Sequence, residues 1–378
     1  MTIVLRGMTW EHERGLGSMV AAARDYQAHD PAVRIEWTHR SLQAFADAPL
    51  EELAREFDLL VIDHPHIPLV AEQGALAPLD GGAHDDELHG LAEESVGRSH
   101  ASYHYGGRQY GLASDAAAQV AVRRPDLLPA PPADWPDVLE LARTGRVLWP
   151  AKPIDAYSSL LTLAANNGTP ALSNPGVFLE PEEAIPVLER MCELASLVPD
   201  FCFAANPIDI AEALCADDRW SYAPLAFGYT NYSRTGYRRV RLAYTDIPAG
   251  AAGTAGSLLG GAGIAVSAHS GHRAEATDFA FWVAAADVQR GPYFDGGGQP
   301  GNAVAWDDDR LDDLTLGFFR NTRETLEGAY MRPRAPGYIR FQDTVSPWVT
   351  GMLRGDVSTG ALIYRLNTEA ARMEEADS

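Results

Sequence analysis

The first 80 residues alternate between short apolar segments and longer segments with helical spacing. The apolar segments are residues 3–5, 33–38 and 58–63. The helical segments are residues 13–30, 51–57 and 67–74. This strand–helix order, with strands that are apolar on both faces, predicts a parallel sheet covered by helices on both sides. In such sheets ligands bind beyond the carboxyl ends of the strands, so the residues that follow each strand are the first candidates for a site.

The composition excludes several classes of partner. The chain has 378 residues, of which 46% are apolar, and this is enough for two or three domains. Its net charge of -22, without a dense basic run, argues against nucleic acid or an anionic membrane surface. No apolar run approaches the ~18 residues of a membrane-spanning helix, so no membrane insertion is predicted. The three cysteines show no CxxC spacing and predict neither a disulfide framework nor a zinc ribbon.

The N-terminal residues predict a location. Residues 1–15 lead directly into the first strand, without a basic region, a long apolar segment or a cleavage site. If the protein begins at this methionine, we expect it to be cytoplasmic. If a leader precedes this sequence, we expect it to be periplasmic or extracellular.

Polar residues follow the first and third strands. Six candidate ligand-binding residues lie there: Trp10, Glu11, His12, Asp63, His64 and His66. Imidazole and carboxylate groups can hydrogen-bond a ligand, and two histidines with one carboxylate also form iron and zinc sites. The local alternative is that Asp63 caps a helix beginning near Pro65. Because His64 and His66 flank this proline, we expect them to point to different sides, which disfavours a metal site.

Aromatic and amide side chains follow a later apolar segment. Tyr229, Asn231 and Tyr232 lie in the sequence AFGYTNYSR. Tyrosine rings beside amide and hydroxyl donors suit a polar organic ligand such as a sugar. The alternative is a tyrosine-rich turn that packs within its own domain.

Two glycine-rich segments are further candidates. Residues 256–266 predict a flexible loop before a strand, in which the backbone near Gly261 would approach a ligand closely. The segment lacks the GxxxxGK[ST] pattern of a P-loop. Gln299 lies in the second segment, residues 295–302, where a surface turn is the favoured alternative.

Charged residues complete the candidate set. Asp155 lies at the predicted start of a helix, close to Lys152 in sequence, and capping is its main alternative role. Arg334, like Arg332, could hold a carboxylate or phosphate of a ligand in a bidentate manner. The alternative for both arginines is a surface charge that balances the acidic chain.

Four segments, taken in order, resemble a known family. They are DLLVIDHPHIPLVAEQGALAPLD, YGLASDAAAQVAVRRPDLL, DWPDVLELARTG and GIAVSAHSGHRAEATDFAFWVA. Their order is similar to that in the extracellular solute-binding proteins of ABC importers, of the sugar-binding type related to maltose-binding protein. The resemblance spans essentially the whole chain. Each motif alone is moderately specific, and the shared order carries the assignment.

The resemblance implies an α/β fold of the two-lobed periplasmic-binding-protein type (type II), with hinge strands and a central cleft. One lobe would hold residues 1–113 and 247–303, and the other residues 114–246 and 304–378. Asp115 falls where the family has an aspartate at the mouth of the hinge.

The resemblance implies a function and partners. A small polar ligand, such as a sugar, polyol or small organic acid, would be captured by closure of the lobes. An ABC transporter permease is the implied protein partner, and no cofactor or metal is expected.

Two other functions stay open at this point. One is a cytosolic enzyme on the same fold, which would use the cluster of Glu11, His12, Asp63, His64 and His66, with or without a metal. No GxSxG or SxxK motif, and no cysteine beside a recognisable histidine, supplies a nucleophile for it. The other is a cytosolic sensor or carrier that passes its ligand to a partner protein.

Overall fold

The structure is a computed structural model that describes residues 2–41 and 50–377. Within these residues the strands are β1 (Ile3–Trp10), β2 (Val33–Arg40), β3 (Leu59–Ile62), β4 (His104–Tyr105), β5 (Arg108–Gln109), β6 (Leu112–Arg123), β7 (Tyr222–Phe227), β8 (Ala243–Thr245) and β9 (Leu259–Val266). Strands β1, β2 and β3 confirm the three strands predicted at the start of the chain, and β1 and β2 extend further than predicted.

The helices of the described residues alternate with these strands. They are α1 (Ser18–His29), α2 (Leu50–Glu56), α3 (Ile67–Glu72), α4 (Asp85–Glu93), α5 (Trp135–Arg143), α6 (Pro153–Asn166), α7 (Pro181–Leu197), α8 (Pro207–Ala216), α9 (Arg273–Ala284), α10 (Ala286–Val288), α11 (Ala303–Trp306), α12 (Asp309–Leu314), α13 (Phe318–Glu327), α14 (Tyr338–Leu353) and α15 (Thr359–Asp377). Asp134 caps α5, because its side chain accepts a hydrogen bond from the Asp137 backbone N–H at 3.0 Å.

The chain forms two compact units. Unit 1 consists of residues 1–117 and 260–313, and unit 2 of residues 118–259 and 314–378, within the described ranges. The lobe boundaries predicted from the resemblance, whose first and last residues lie outside the described residues, stay a prediction. Closure of the lobes on a ligand also stays a prediction.

Unit 1 is built on a sheet in the order β2-β1-β3-β9. Strand β1 pairs with β2 and with β3 in parallel, as predicted, whereas β9 runs antiparallel to β3. The core on one face includes Leu5, Leu59 and Ile264, and the helices α1 and α9 supply Met19 and Phe279 to it. The parallel pairing of β1 and β3 brings the ends of both strands to one edge of the sheet.

Unit 2 is built around α6 and β6. Strands β7 and β8 both pair antiparallel with β6. Most side chains of α6 are buried, and the core around it includes Trp149, Leu160, Leu188 and Tyr338. A helix that is apolar nearly all round must be covered on all sides, and helices α7 and α14 pack against it.

Two local predictions are wrong. Gly261 lies inside β9 and not in a flexible loop before it. Residues 297–302 are buried and do not form a surface turn, and the Gln299 side chain donates a hydrogen bond to the Ala116 carbonyl at 2.7 Å.

None of the helices in residues 2–41 and 50–377 is both long enough and apolar enough to cross a membrane.

Candidate functional site

In unit 1, polar residues follow the ends of two adjacent strands. Strands β1 and β3 run parallel, with Met8 opposite Leu60. Glu11 and His12 follow β1, and Asp63 follows β3. The predicted edge of the sheet therefore carries the polar residues expected there.

The turn after β1 is a π-helix, Glu13–Gly17, that His12 caps. The His12 side chain accepts a hydrogen bond from the Arg14 backbone N–H at its Nδ1, at 3.0 Å. This bond requires an imidazole whose Nδ1 is unprotonated. Trp10 is buried in the core, and its ring lies so close to Gly15 that a Cβ there would come within 2.5 Å of it. Trp10 and His12 thus shape the turn, whereas Glu11 is exposed.

The residues after β3 differ in exposure. His64–His66 form one turn of 3₁₀-helix, and Asp63 occupies the N-cap position without a side-chain capping hydrogen bond. The capping alternative for Asp63 is therefore not supported. The His64 side chain is buried, with its Nδ1 3.2 Å from the Asp63 carboxylate and its ring edge-on to Tyr103. Asp63 and His66 are partly exposed, so they are better placed than His64 to meet a ligand.

Asp115 lies deeper in unit 1, paired with Arg14. The Arg14 guanidinium donates two hydrogen bonds to the two oxygens of the Asp115 carboxylate, and both side chains are buried. Burial raises the pKa of Asp115, the adjacent Arg14 opposes this, and the negative charge of Asp63 adds to it. The sequence does not predict the role of Arg14, because its partner lies 101 residues away.

Two of the other predicted residues in unit 1, Gly261 and Gln299, contact the backbone at Asp115 and Ala116. A Cβ at Gly261 would come within 2.3 Å of the Asp115 carbonyl oxygen, so glycine is required there for packing. Gln299 is fully buried and bonds the adjacent Ala116 carbonyl. Both residues support the strand that carries Asp115.

In unit 2, Asp155 is a buried acid in the first turn of α6. It is 5% exposed, and no hydrogen bond or ion pair to its carboxylate is found within the described residues. Burial raises the pKa of Asp155 to about 7, Lys152 opposes this shift, and Asp209 increases it. The N-cap of α6 is Lys152, so Asp155 does not cap this helix. A buried carboxyl group without a protein donor is costly unless water or a ligand supplies the hydrogen bonds.

A buried polar network fixes α6 behind Asp155. The Thr162 hydroxyl donates to the Gln119 side chain at 2.6 Å and accepts from the Leu258 backbone N–H at 2.9 Å. At the end of the helix, Asn166 donates to the carbonyls of residues 253 and 255. Satisfied networks of this kind hold one arrangement, so Asp155 has a defined position in unit 2.

The tyrosine-rich segment of unit 2 is buried. Thr230–Ser233 form a 3₁₀-helix after β7, and Tyr229, Asn231 and Tyr232 are each at most 8% exposed. The Tyr232 hydroxyl donates to the Glu212 carboxylate at 2.7 Å, and the Arg238 guanidinium bonds the same carboxylate. The hydroxyl of Tyr232 therefore bonds its own unit, as the packing alternative predicts.

Arg334 lies in the segment before α14 and is partly buried. Its Nη1 is 4.0 Å from the Met331 sulfur. Arg332 is buried, with its Nη1 3.4 Å from the Gln342 side-chain oxygen. Arg332 thus contributes no exposed charge, whereas Arg334 is the more accessible of the two.

The sequence over residues 22–315 matches the family described as bacterial extracellular solute-binding protein. The chain belongs to this family. A search of curated proteins found no match.

Solved structures share the fold of this solute-binding protein. Maltose-bound MalE3 of T. maritima is 16% identical, with a TM-score of 0.81 over 98% of this chain and 100% of that chain. The GacH receptor of Streptomyces glaucescens GLA.O, solved unliganded and with acarbose, is 14% identical, with a TM-score of 0.82 over 100% of both chains. A solute-binding protein of Agrobacterium radiobacter K84 in complex with ribitol is 17% identical, with a TM-score of 0.79 over 98% of both chains. The predicted type II periplasmic-binding-protein fold is confirmed.

The candidate residues are divided between the two units. Unit 1 contains the turns after β1 and β3, Asp115, Gly261 and Gln299, and unit 2 contains Asp155, Tyr229, Asn231, Tyr232 and Arg334. In the described part of the chain, no three histidine, cysteine, aspartate or glutamate side chains are arranged to hold a metal. The carboxylates of Asp63 and Asp155 are hydrogen-bond acceptors, and hydroxyl groups of a ligand are suitable donors to both.

Proposed function

We propose that this solute-binding protein binds a small neutral ligand with several hydroxyl groups, a sugar or a polyol. The observation that carries the proposal is the buried Asp155 carboxylate, to which the described residues donate no hydrogen bond. Ligand hydroxyls would supply the missing donors without bringing a second negative charge. In unit 1, Asp63 is a partly exposed carboxylate beside His64.

Charge favours a neutral ligand over the small organic acids that the sequence also allowed. Asp63 and Glu11 are acidic, and the charge of the buried Arg14 is already balanced by Asp115. A ligand carboxylate near Asp63 or Asp155 would be repelled. Arg334 is the residue that would favour an acid, and the binding experiment below decides between the two classes.

The solved relatives support this ligand class by analogy. The T. maritima protein was solved with maltose, and the A. radiobacter protein with ribitol. A third, from Thermotoga lettingae TMO, was solved with α-D-tagatose at 15% identity and a TM-score of 0.82, over 99% of this chain and 100% of that chain. Membership of a solute-binding family supports ligand capture over the enzyme alternative.

Isothermal titration calorimetry tests the ligand class. We expect maltose, D-tagatose or ribitol to bind, and ribonate, the acid that corresponds to ribitol, not to bind. Asp63→Asn should weaken binding about 10- to 100-fold, since hydrogen bonds to a charged group contribute about 1.5–3 kcal/mol each. Asp287→Asn, which changes an exposed acid of unit 1, is the matched control and should bind like the wild type. Binding of ribonate alone would contradict the proposal.

We further propose that the partner is the permease of an ABC importer and that the protein works outside the cytoplasmic membrane. The family, described as extracellular, supports both statements. Fractionation of the source cells should place the protein outside the cytosol, and cross-linking in the presence of ligand should join it to a membrane permease. Its recovery from the cytosol alone, with no permease cross-linked, would support the sensor or carrier alternative.

A further inference from the structure

Helices α7 and α15 of unit 2 form an open groove. One wall is a row of α7 residues spaced four positions apart, Pro181, Ile185 and Glu189. The other wall is one side of α15, where residues three or four positions apart lie together. It includes Gly360, Ile363, Tyr364 and Asn367. The groove has a volume of about 700 Å³, which is typical of sites that enclose a bound molecule.

The wall formed by α15 is anchored to the rest of unit 2. Leu362 and Leu366 of this helix are buried in the core. The Asn367 side-chain oxygen accepts hydrogen bonds from the backbone N–H groups of Phe178 and Leu179, at 2.7 and 3.2 Å. Its amide nitrogen donates to the Leu179 carbonyl at 2.9 Å. Because these bonds join α15 to the segment before α7, the spacing of the two walls is fixed by the fold.

Two large apolar side chains of the groove face solvent. Ile185 is 42% exposed and Tyr364 is 74% exposed, although both lie within regular helices. Ile363, which also lines the groove, is 6% exposed. Exposed apolar side chains that lie together mark interaction sites, whereas single ones are common on any surface. A groove with apolar residues on two helical walls suits the apolar face of a partner helix.

Charge indicates which kind of helix fits. Glu189 lines the groove, and Glu182 is exposed on the same helix; neither forms an ion pair with another described residue. The arginine of α7, Arg190, lies over the Trp135 ring, and Arg365 of α15 is exposed beside the groove without lining it. A second copy of this chain, with its net charge of -22, or an anionic membrane surface would be repelled. A cationic partner is complementary to these carboxylates.

We propose that the groove between α7 and α15 docks a partner protein through a cationic amphipathic helix. Apolar side chains of that helix, spaced three or four positions apart, pack between Ile185 and Tyr364. A lysine or arginine beside them pairs with Glu189. This interaction surface lies within unit 2, and the proposal does not depend on the identity of the small ligand.

Fluorescence anisotropy with a labelled amphipathic peptide of leucine and lysine, LKKLLKLLKKLLKL, tests the proposal. Ile185→Ser and Tyr364→Ser should each weaken binding by about 10-fold or more, because each removes an apolar anchor without changing the charge. Glu189→Gln should weaken it by about 2- to 5-fold at low salt, and this difference should disappear at high salt. Leu314→Ser is the matched control, since Leu314 is a 47% exposed apolar residue of unit 2 outside the groove. It should bind like the wild type.

The groove variants separate docking from general attraction between a cationic peptide and an acidic protein. Equal binding of the peptide by the wild type and Tyr364→Ser, or no binding by the wild type, would overturn the proposal. The peptide LEELLELLEELLEL, which carries glutamate in place of lysine, should not bind, and its binding at the groove would overturn the assignment of a cationic partner. If Ile185→Ser does not fold, Tyr364→Ser decides, because that side chain is mostly exposed.

Two further measurements distinguish other occupants of the groove. We expect no self-association through this face in sedimentation velocity. A dimer that Tyr364→Ser dissociates would show that a second copy occupies the groove, contrary to the proposal. We also expect no binding to phosphatidylglycerol vesicles. Vesicle binding that Tyr364→Ser abolishes would assign the groove to a membrane surface and overturn the proposal.

Discussion

The free energy of unfolding of the wild type is expected to fall by about 3–4 kcal/mol between pH 4 and pH 8, and Asp155→Asn is expected to abolish this fall. Burial raises the pKa of Asp155 from its ordinary 3.8 to about 7. The folded state therefore binds this proton more tightly than the unfolded state, so stability falls as the pH rises through this range and levels off above it. Each unit of pKa difference corresponds to about 1.4 kcal/mol.

The measurement is thermal unfolding of the wild type and the variant across this pH range. Asp137→Asn is the matched control, because Asp137 is an exposed acid at the same position in the first turn of α5. The control should keep the wild-type slope with pH. If the stability of Asp155→Asn depends on pH as steeply as that of the wild type, Asp155 is not the group whose raised pKa causes this dependence.

Asp155→Asn should also weaken the binding of a neutral ligand at least 10-fold near neutral pH. The amide has one acceptor oxygen where the carboxylate has two, and hydrogen bonds to a charged acceptor are the stronger ones. Asp155→Asn should thus lower the affinity for the ligand and raise the stability at neutral pH, as is common where a binding site holds a buried polar group.

Gly261→Ala is expected to destabilise the protein by about 3 kcal/mol or more. Gly261 has φ +98°, and a Cβ there would come within 2.3 Å of the Asp115 carbonyl oxygen and 3.0 Å of the Ala116 Cα. Both contacts are with backbone atoms of β6, which cannot move aside as a flexible side chain can. The substitution must therefore displace the strand that carries Asp115.

Denaturant or thermal unfolding compares this variant with Gly107→Ala. Gly107 also has a positive φ, +79°, but its Cβ would meet no atom within 4 Å. The control therefore carries only the backbone cost, about 1 kcal/mol. Equal losses for the two variants would contradict the close packing of β9 on β6.

The sequence predicts the architecture of unit 1 well because its signals are local. The apolar segments that became β1, β2 and β3 alternate with amphipathic helices, and this order alone implies parallel pairing. The polar turns after β1 and β3 follow from the same argument. The order of four motifs along the chain then predicted the family.

The errors arise where a distant residue decides the local structure. Asp115 lies inside strand β6, where a buried carboxylate is costly without a partner. Arg14 supplies that partner from the turn after β1, and nothing near Asp115 in the sequence indicates it. Gly261 likewise resembles a loop residue, whereas the approach of β6 requires a glycine within the strand.

The unusual state of Asp155 also depends on tertiary structure. Its position at the start of a helix suggests a cap, and only the burial of residues 155–166 in the structure shows that the carboxyl group is largely removed from solvent. The sequence identifies this residue as a candidate but does not predict its raised pKa.

The most direct test of the central claim is native mass spectrometry of the protein after incubation with equal amounts of ribitol, maltose, D-tagatose and ribonate. We predict a single bound mass that matches a neutral compound, and its loss when both Asp63 and Asp155 are changed to asparagine. A bound mass that matches ribonate, or a neutral adduct that survives both substitutions, would contradict the account.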